Sequence, residues 1–353
     1  MMRLKSILVE FRGTKGYLII GISLVLILLP ILFMTLDLPF PANVLFLCLL
    51  YSIMAMAWNL LFGYCGQFSL GHSIFFGLGA YTTMIGMLYY NLTPWIGIFV
   101  GGFIAALSGL GLGVILFRLR SHWFALASMA IQEMFLLLFI PWTWVGGSAG
   151  LQAPIVSPDK ALYFAQYAGP YLYIYIALGI LAIELIIFYI IVNSKWGYYF
   201  QAIREDEDAA KSLGINPFKY KMVAMFFSAL FTGIAGGIYV IRFRFIDPFV
   251  AFNLITIAVY ILVAAIIGGV YSFIGPIVGS FIFMPITEYV RVYIVSRFPR
   301  YYGLQVFSIG LVVLIISLIA PEGVMGLLEK RGIVRRRLAI PITLSNKEVV
   351  EGG

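Results

Sequence analysis

The sequence is short of charge. Only 11% of its 353 residues are Asp, Glu, Lys or Arg, where soluble domains carry about 25%. With 62% of the chain hydrophobic, that shortage excludes an ordinary soluble fold and points to a chain that crosses a membrane several times. Cysteine is nearly absent as well. Cys48 and Cys65 both sit in or beside apolar runs, and two thiols so placed are ordinary thiols, not a disulfide framework. Histidine is as rare: neither His72 nor His122 belongs to an HExxH pair or a Cys/His cluster, which removes the common zinc patterns. No Gly-Lys dipeptide occurs, so there is no Walker A loop and no ATP site of that kind. The first apolar run follows a basic N-terminus with no small-residue cleavage site and reads as a retained helix, not a signal peptide.

What the chain does have is apolar runs of spanning length, about 20 residues each. Ten are predicted, at 17–36, 42–62, 68–89, 95–117, 122–141, 171–192, 221–241, 252–270, 275–296 and 303–320. The third and ninth are glycine-rich and read as broken or partly inserted, so the expected fold is an all-α polytopic membrane protein of eight to ten spans. Loop charge sets orientation. With the N-terminus inside, 17 of the 23 Lys and Arg fall on inner segments, so both termini are expected in the cytoplasm. The net charge of +8 is then membrane topology and not a nucleic-acid surface. The expected layout is one transmembrane domain over 1–325, with an inner loop near 195–220, a turn-rich outer loop near 142–170 and a basic cytoplasmic tail at 326–353. The 30 Phe and 22 Tyr serve as interfacial belt and packing.

One inner segment breaks the shortage of charge. "REDEDAAKSLGINPFKYK", Arg204 to Lys221, carries eight charged side chains. Four consecutive acids, Glu205 to Asp208, suit the positive end of a helix dipole, and Lys211 suits the other end. Ala209 and Ala210 favour helix, Gly214 suits a left-handed stop, and Pro217 forbids continuation. A helix over about 201–213 follows, with Ile203, Ala210 and Leu213 on one small apolar face beside Ala209. Such a face fits a groove on another protein, and it equally fits a solvated loop that reverses the chain.

The membrane segments hold three further features. "GYCGQFSLGHSIFFGLGAY" places five glycines among Gln67, Ser69 and His72. Glycines allow either close helix packing or an interrupted helix lining a cavity. In the second case Gly66, Gln67, Ser69, Gly71 and His72 would border a translocation path. "GGVYSFIGPIVG" is a second glycine-rich turn, joining two spans on the same side. Intramembrane acids are costly and suggestive. Glu133, with Gln132, reads as polar lining or a helix-to-helix hydrogen bond. Glu184 is expected to find a polar partner on a neighbouring helix, and Glu288 with Arg291 to pair at i, i+3.

The segment Asp208-Ala209-Ala210-Lys211-Ser212-Leu213-Gly214 resembles the EAA-xxx-G coupling motif of ABC importer permeases, with Asp in place of the first Glu. "AIREDEDAAKSLGINPFKYKMVAMFFSALFTGIAGGIYV" is similar to the matching region of branched-chain amino-acid permeases of the LivM-like kind. "NLLFGYCGQFSLGHSIFFGLGAY", "GGSAGL" and "IIGGVYSFIGPIVGS" agree in content and order, so the resemblance covers about residues 40–325. It implies a non-enzymatic transport subunit of the bacterial or archaeal cytoplasmic (inner) membrane, without a cofactor of its own, working by alternating access. Its implied partners are a second homologous permease, two cytoplasmic ATPases that hydrolyse the ATP, and an extracytoplasmic binding protein. Asp208, Ala209, Ala210, Leu213 and Gly214 would then be the ATPase-coupling residues. The substrate implied is leucine, isoleucine, valine or a related amino acid, with urea or short amides as the family's other cargo. An ion-coupled secondary transporter, using Glu133 and Glu184, is the reading from a different class.

Overall fold

A computed structural model describes residues 14–119, 121–155, 158–167, 169–297 and 323–330, with scattered positions between 303 and 318. Helices dominate. They are α1 (Thr14–Thr35), α2 (Pro39–Asn59, continued by a π turn Leu60–Tyr64), α3 (His72–Tyr90), α4 (Pro94–Leu116), α5 (Ser121–Phe139) and α6 (Tyr171–Val192). Then follow the short α7 (Lys195–Glu205) and α8 (Glu207–Ser212), the long α9 (Pro217–Phe243), and α10 (Pro248–Ala251). A π turn, Leu254–Val259, leads into α11 (Tyr260–Gly268), and α12 (Gly275–Arg297) and α13 (Gly323–Lys330) complete the described helices.

Among the described residues seven helical stretches are long and apolar enough to cross a membrane: Pro39–Tyr64, Pro94–Leu116, His122–Phe139, Tyr171–Val192, Pro217–Phe243, Pro248–Gly268 and Gly275–Arg297. The chain is an all-α multi-pass membrane protein. The first is α1, Thr14–Thr35, where the span over 17–36 was expected. Two of the ten expected spans differ, the third and the ninth. The third is α3, which begins only at His72 after a non-helical stretch. The tenth lies largely outside the described residues. The ninth is not broken: α12 is continuous over 23 residues, and the interruption falls before it, at 269–274.

The core is built around α2, nearly all of which is buried within the chain. α12, α11, α9 and α6 pack on it. A second layer is the tight crossing of α3, α4 and α9. A side chain at Gly79 would strike the Gly233 carbonyl, one at Gly236 the Phe76 carbonyl, and one at Gly101 the Gly79 carbonyl. Glycines let these backbones touch, which is how helices associate where no hydrophobic effect separates lipid from side chain. By contrast α1 and α5 present Leu, Ile, Met and Trp outward, as lipid-facing helices do.

The expected loop near 142–170 has a structural role that its turn-rich composition does not announce. Leu151–Gln152 pairs antiparallel with Phe245–Ile246, in register Leu151 to Ile246 and Gln152 to Phe245. This two-stranded ribbon ties the loop to the far end of α9. Both cysteines are buried free thiols.

Candidate functional site

The charged segment folds differently from the single helix expected over 201–213. Asp206 has extended backbone (φ −155°, ψ 115°) and divides it in two. Its Oδ1 accepts from the Asp208 and Ala209 amides at 2.8 and 2.9 Å, a capping arrangement that satisfies the free donors of α8. A carboxylate that can cap outcompetes helix continuation here. The far end follows the sequence: Gly214 is left-handed at φ +79°, and its amide reaches the Lys211 carbonyl. Pro217 does more than stop a helix. It is the first residue of α9, whose cap is Asn216, with Oδ1 accepting from the Lys219 amide.

The expected apolar face is also divided. Ile203 and Ala210 are buried against the chain itself, Ala210 at 2% exposure, whereas Leu213 is 79% exposed. Asp208, Ala209 and Gly214 are exposed with it. The surface offered outward is therefore Asp208, Ala209, Leu213 and Gly214, and Ala210 is the anchor on the inner side. Lys211 pairs with Asp208 at 3.1 Å and Glu207 at 3.5 Å. Hydrogen bonding to Asp208 holds the Lys211 amine above its usual range. Glu207 meets Lys221 Nζ at 2.5 Å, with Lys221 nearly enclosed. Burial pulls the Glu207 carboxyl upward, but the hydrogen bond and charge of Lys221, joined by Lys211, outweigh it and hold the group below its ordinary value. This pair fastens α8 to the start of α9.

The first glycine-rich motif is a real interruption of the helical run. α2 ends in its π turn, Gly66 turns left-handed at φ +75°, and the chain runs without helix to His72. Side chains replace the lost backbone partners: Trp58 Nε1 donates to the Ser69 carbonyl at 2.8 Å, and the Ser128 hydroxyl accepts from the Leu70 amide at 3.0 Å. His72 Nε2 meets the Ser228 hydroxyl at 2.8 Å. Gln132 Nε2 donates to the Phe252 carbonyl. Thus Gly66, Gln67, Ser69, Gly71 and His72 follow one another along the break. Gln132 lies one helical turn beyond Ser128, which touches Leu70. Gln67, Ser69, His72 and Gln132 are buried within this chain. Glu133 is not with them: it points to the exposed side of α5.

The other acids divide. Glu288 accepts from Arg291 as expected, with Arg291 Nε at 3.2 Å. Glu184 does not find the partner expected of it. It is fully enclosed, and neither carboxyl oxygen has a hydrogen-bond partner among the described residues. Its neighbours on α6 are apolar: Phe188 belongs to the core, and Leu185 and Ile187 are partly buried against it.

Two long-range contacts had no signal in the sequence. The two glycine-rich motifs, more than two hundred residues apart, lie against each other. Asn59 Nδ2 donates to the Ser272 carbonyl at 3.1 Å, and a side chain at Gly63 would strike the Val270 carbonyl. The segment that leads into the tail packs on this same turn, with Gly323 seated against Gly269. Beyond 330 the tail lies outside the described residues.

The family described as "Branched-chain amino acid transport system / permease component" matches residues 40–318. The high-affinity branched-chain amino acid transport system permease protein LivM of Escherichia coli K12 is 27% identical over 267 residues, 69% of this chain and 62% of that protein. LivM of Salmonella typhimurium is 26% identical over 268 residues, with the same coverage. The probable branched-chain amino acid transport permease protein LivH of Methanocaldococcus jannaschii is 26% identical over 141 residues, 40% of this chain and 44% of that one. The chain thus spans about 62% of the length of the two LivM relatives. No solved structure matches.

Proposed function

The chain belongs to the branched-chain amino acid transport permease-component family, and from that premise we propose that it is the membrane subunit of an ATP-driven importer. In this reading it forms a path together with a second, homologous permease. Two cytoplasmic ATPases drive it, and an extracytoplasmic binding protein delivers the solute. Its cargo is leucine, isoleucine, valine or a related small amino acid, the class that its relatives' names give for them. Urea and short amides are the alternative cargo. The inner position of the 195–220 loop and of both termini rests on the Lys and Arg bias.

The observation that carries the reading is the outward surface of α8. A small capped helix, anchored by buried Ala210 and by Lys221, holds out an apolar Leu213 among charged neighbours. An exposed leucine on a rigid mount is what a docking helix needs, since burying it in a partner's cleft contributes about 2 kcal/mol. A chain-reversing loop has no use for that rigidity, nor has an ion-coupled transporter. On this account Asp208, Ala209, Leu213 and Gly214 meet the ATPase, and Ala210 fixes the helix from behind. The break at Gly66–His72, with Gln132 beside it, lies on the moving part of the path. Exposed Glu133 belongs to the face that a second permease covers.

The test is purification in mild detergent from native membranes, followed by mass spectrometry and uptake competition among leucine, urea and acetamide. Recovery with an ATPase and a second permease, and uptake abolished by ATP depletion, is the expected result. A chain recovered alone, with uptake that follows an ion gradient and ignores ATP, would overturn it.

A further inference from the structure

Arg204 is the last basic residue of α7, and its guanidinium reaches three separate parts of the chain. Nη1 donates to the Gly63 carbonyl at 2.8 Å. That carbonyl lies in the π turn that ends α2, where a cation is favoured by the dipole and by carbonyls that have lost their helical partners. Nε and Nη2 donate to Glu205 at 3.1 and 2.5 Å. The guanidinium carbon stands 4.9 Å from the centre of the Tyr271 ring, inside the second glycine-rich turn, a distance that suits cation–π attraction. Gly66 is fitted to the same group: a side chain there would meet Arg204 Cγ at 3.1 Å. One planar cation therefore joins the charged segment to both interruptions of the membrane helices. Those interruptions are themselves linked through Asn59 and Ser272.

We propose that Arg204 is the positioning residue through which movement of the 195–214 segment reaches the membrane helices, by holding the Gly63 carbonyl and the Tyr271 ring together. The proposal rests on the importer reading for what moves the segment, but the link itself does not. When α8 is displaced, α7 carries the guanidinium with it. The two glycine turns are the places where backbone can follow without breaking a continuous hydrogen-bond ladder. Lysine keeps the charge but lacks the planar fork that serves a carbonyl and a ring at once, so the two variants separate charge from geometry.

Two measurements test this on the full chain. Hydrogen exchange on the purified chain in detergent reads the link without any partner. Arg204→Gln is expected to speed exchange at least tenfold in peptides covering 60–72 and 268–275, leaving 222–243 unchanged. Unchanged exchange at 60–72 overturns the proposal, as does a rise spread evenly over the chain. The second measurement uses vesicles containing the chain and its co-purifying subunits, with radiolabelled leucine as probe. Arg204→Gln is expected to hydrolyse ATP within twofold of the parent while moving at least tenfold less leucine per ATP, with Arg204→Lys in between. A parallel loss of hydrolysis and uptake assigns Arg204 a purely structural role and refutes the coupling. Failure of the importer reading shows elsewhere, as uptake by the parent chain that does not need ATP, and leaves the exchange result standing.

Discussion

The ion pair between Glu207 and Lys221 gives an asymmetric outcome when its members are removed one at a time. Lys221 is 4% exposed at its side chain and Glu207 is 40% exposed. Glu207→Gln leaves a nearly enclosed ammonium without its counter-charge. Breaking a fully buried pair in this way costs about 3–5 kcal/mol. Water already reaches Glu207, so the figure here is discounted to about 2 kcal/mol. Lys221→Met removes the buried charge itself and fills the space with an apolar chain. Glu207 then turns to water and keeps Lys211, so the cost is below about 1 kcal/mol. The double variant is expected to match Lys221→Met alone. The readout is protease nicking in the 195–220 loop of the purified chain, which follows the open population when closing is fast. Two kcal/mol of local stability corresponds to about a thirtyfold faster nick for Glu207→Gln. Equal nicking of the two single variants would refute the reasoning, because it would mean that the charge on Lys221 has no need of Glu207.

Other perturbations have equally specific outcomes. If the proposed docking holds, Leu213→Asp removes an apolar contact worth about 2 kcal/mol to the ATPase, so ATPase co-purification should fall about thirtyfold while the yield of inserted chain is unchanged; a normal complex would remove Leu213 from the docking surface. Gly66→Ala forces a side chain into left-handed backbone at about 1 kcal/mol and crowds Arg204, so nicking near 60–72 should rise several-fold, read on the chain alone. Glu207 has a depressed carboxyl, so its contribution is complete above its ordinary value of 4.5 and is lost as pH falls through the lower value of the folded chain. Nicking of the 195–220 loop should accelerate below about pH 4.5 in the parent and show a smaller step in Lys221→Met, where Lys211 alone still depresses the carboxyl.

The membrane character and most of the spans were legible because apolar runs of fixed length are a local signal, and so was the stop at Gly214. Asp206 was misjudged for a local reason as well. Four acids in a row look like one helix start, and nothing in their order says which of them becomes the cap. Leu213 parts from Ile203 and Ala210 at the other end: α8 stops at Ser212, and Leu213, with φ −84° and ψ 8°, no longer continues its helical phase. Arg204 to Gly63 spans 141 residues and Asn59 to Ser272 spans 213. Neither has a periodicity that could betray it. Glu184 was expected to have a polar partner because most buried polar groups do, and only the packing of α6 shows that none of the described side chains supplies one.

These particulars also change which residue is worth mutating. Ala210 looks from its motif like the centre of the docking face. In the folded chain it faces inward, so a bulky charge there disturbs the seat of α8 before it disturbs any partner, and loss of transport in Ala210→Arg says little about docking. The outward Leu213 and the inward Arg204 separate the two steps. In the proposed assembly Leu213 stands where a partner would grip the segment, and Arg204 where the segment would grip the membrane helices. α2 is enclosed along nearly its whole length, and close-packed helices move as units between discrete arrangements instead of deforming gradually. A shift imposed at the Gly63 carbonyl is thus delivered to the helix on which α6, α9, α11 and α12 all pack. Variants at Leu213 should uncouple by loss of assembly, and variants at Arg204 with assembly intact. That contrast, measured in one preparation, separates gripping the segment from moving the spans.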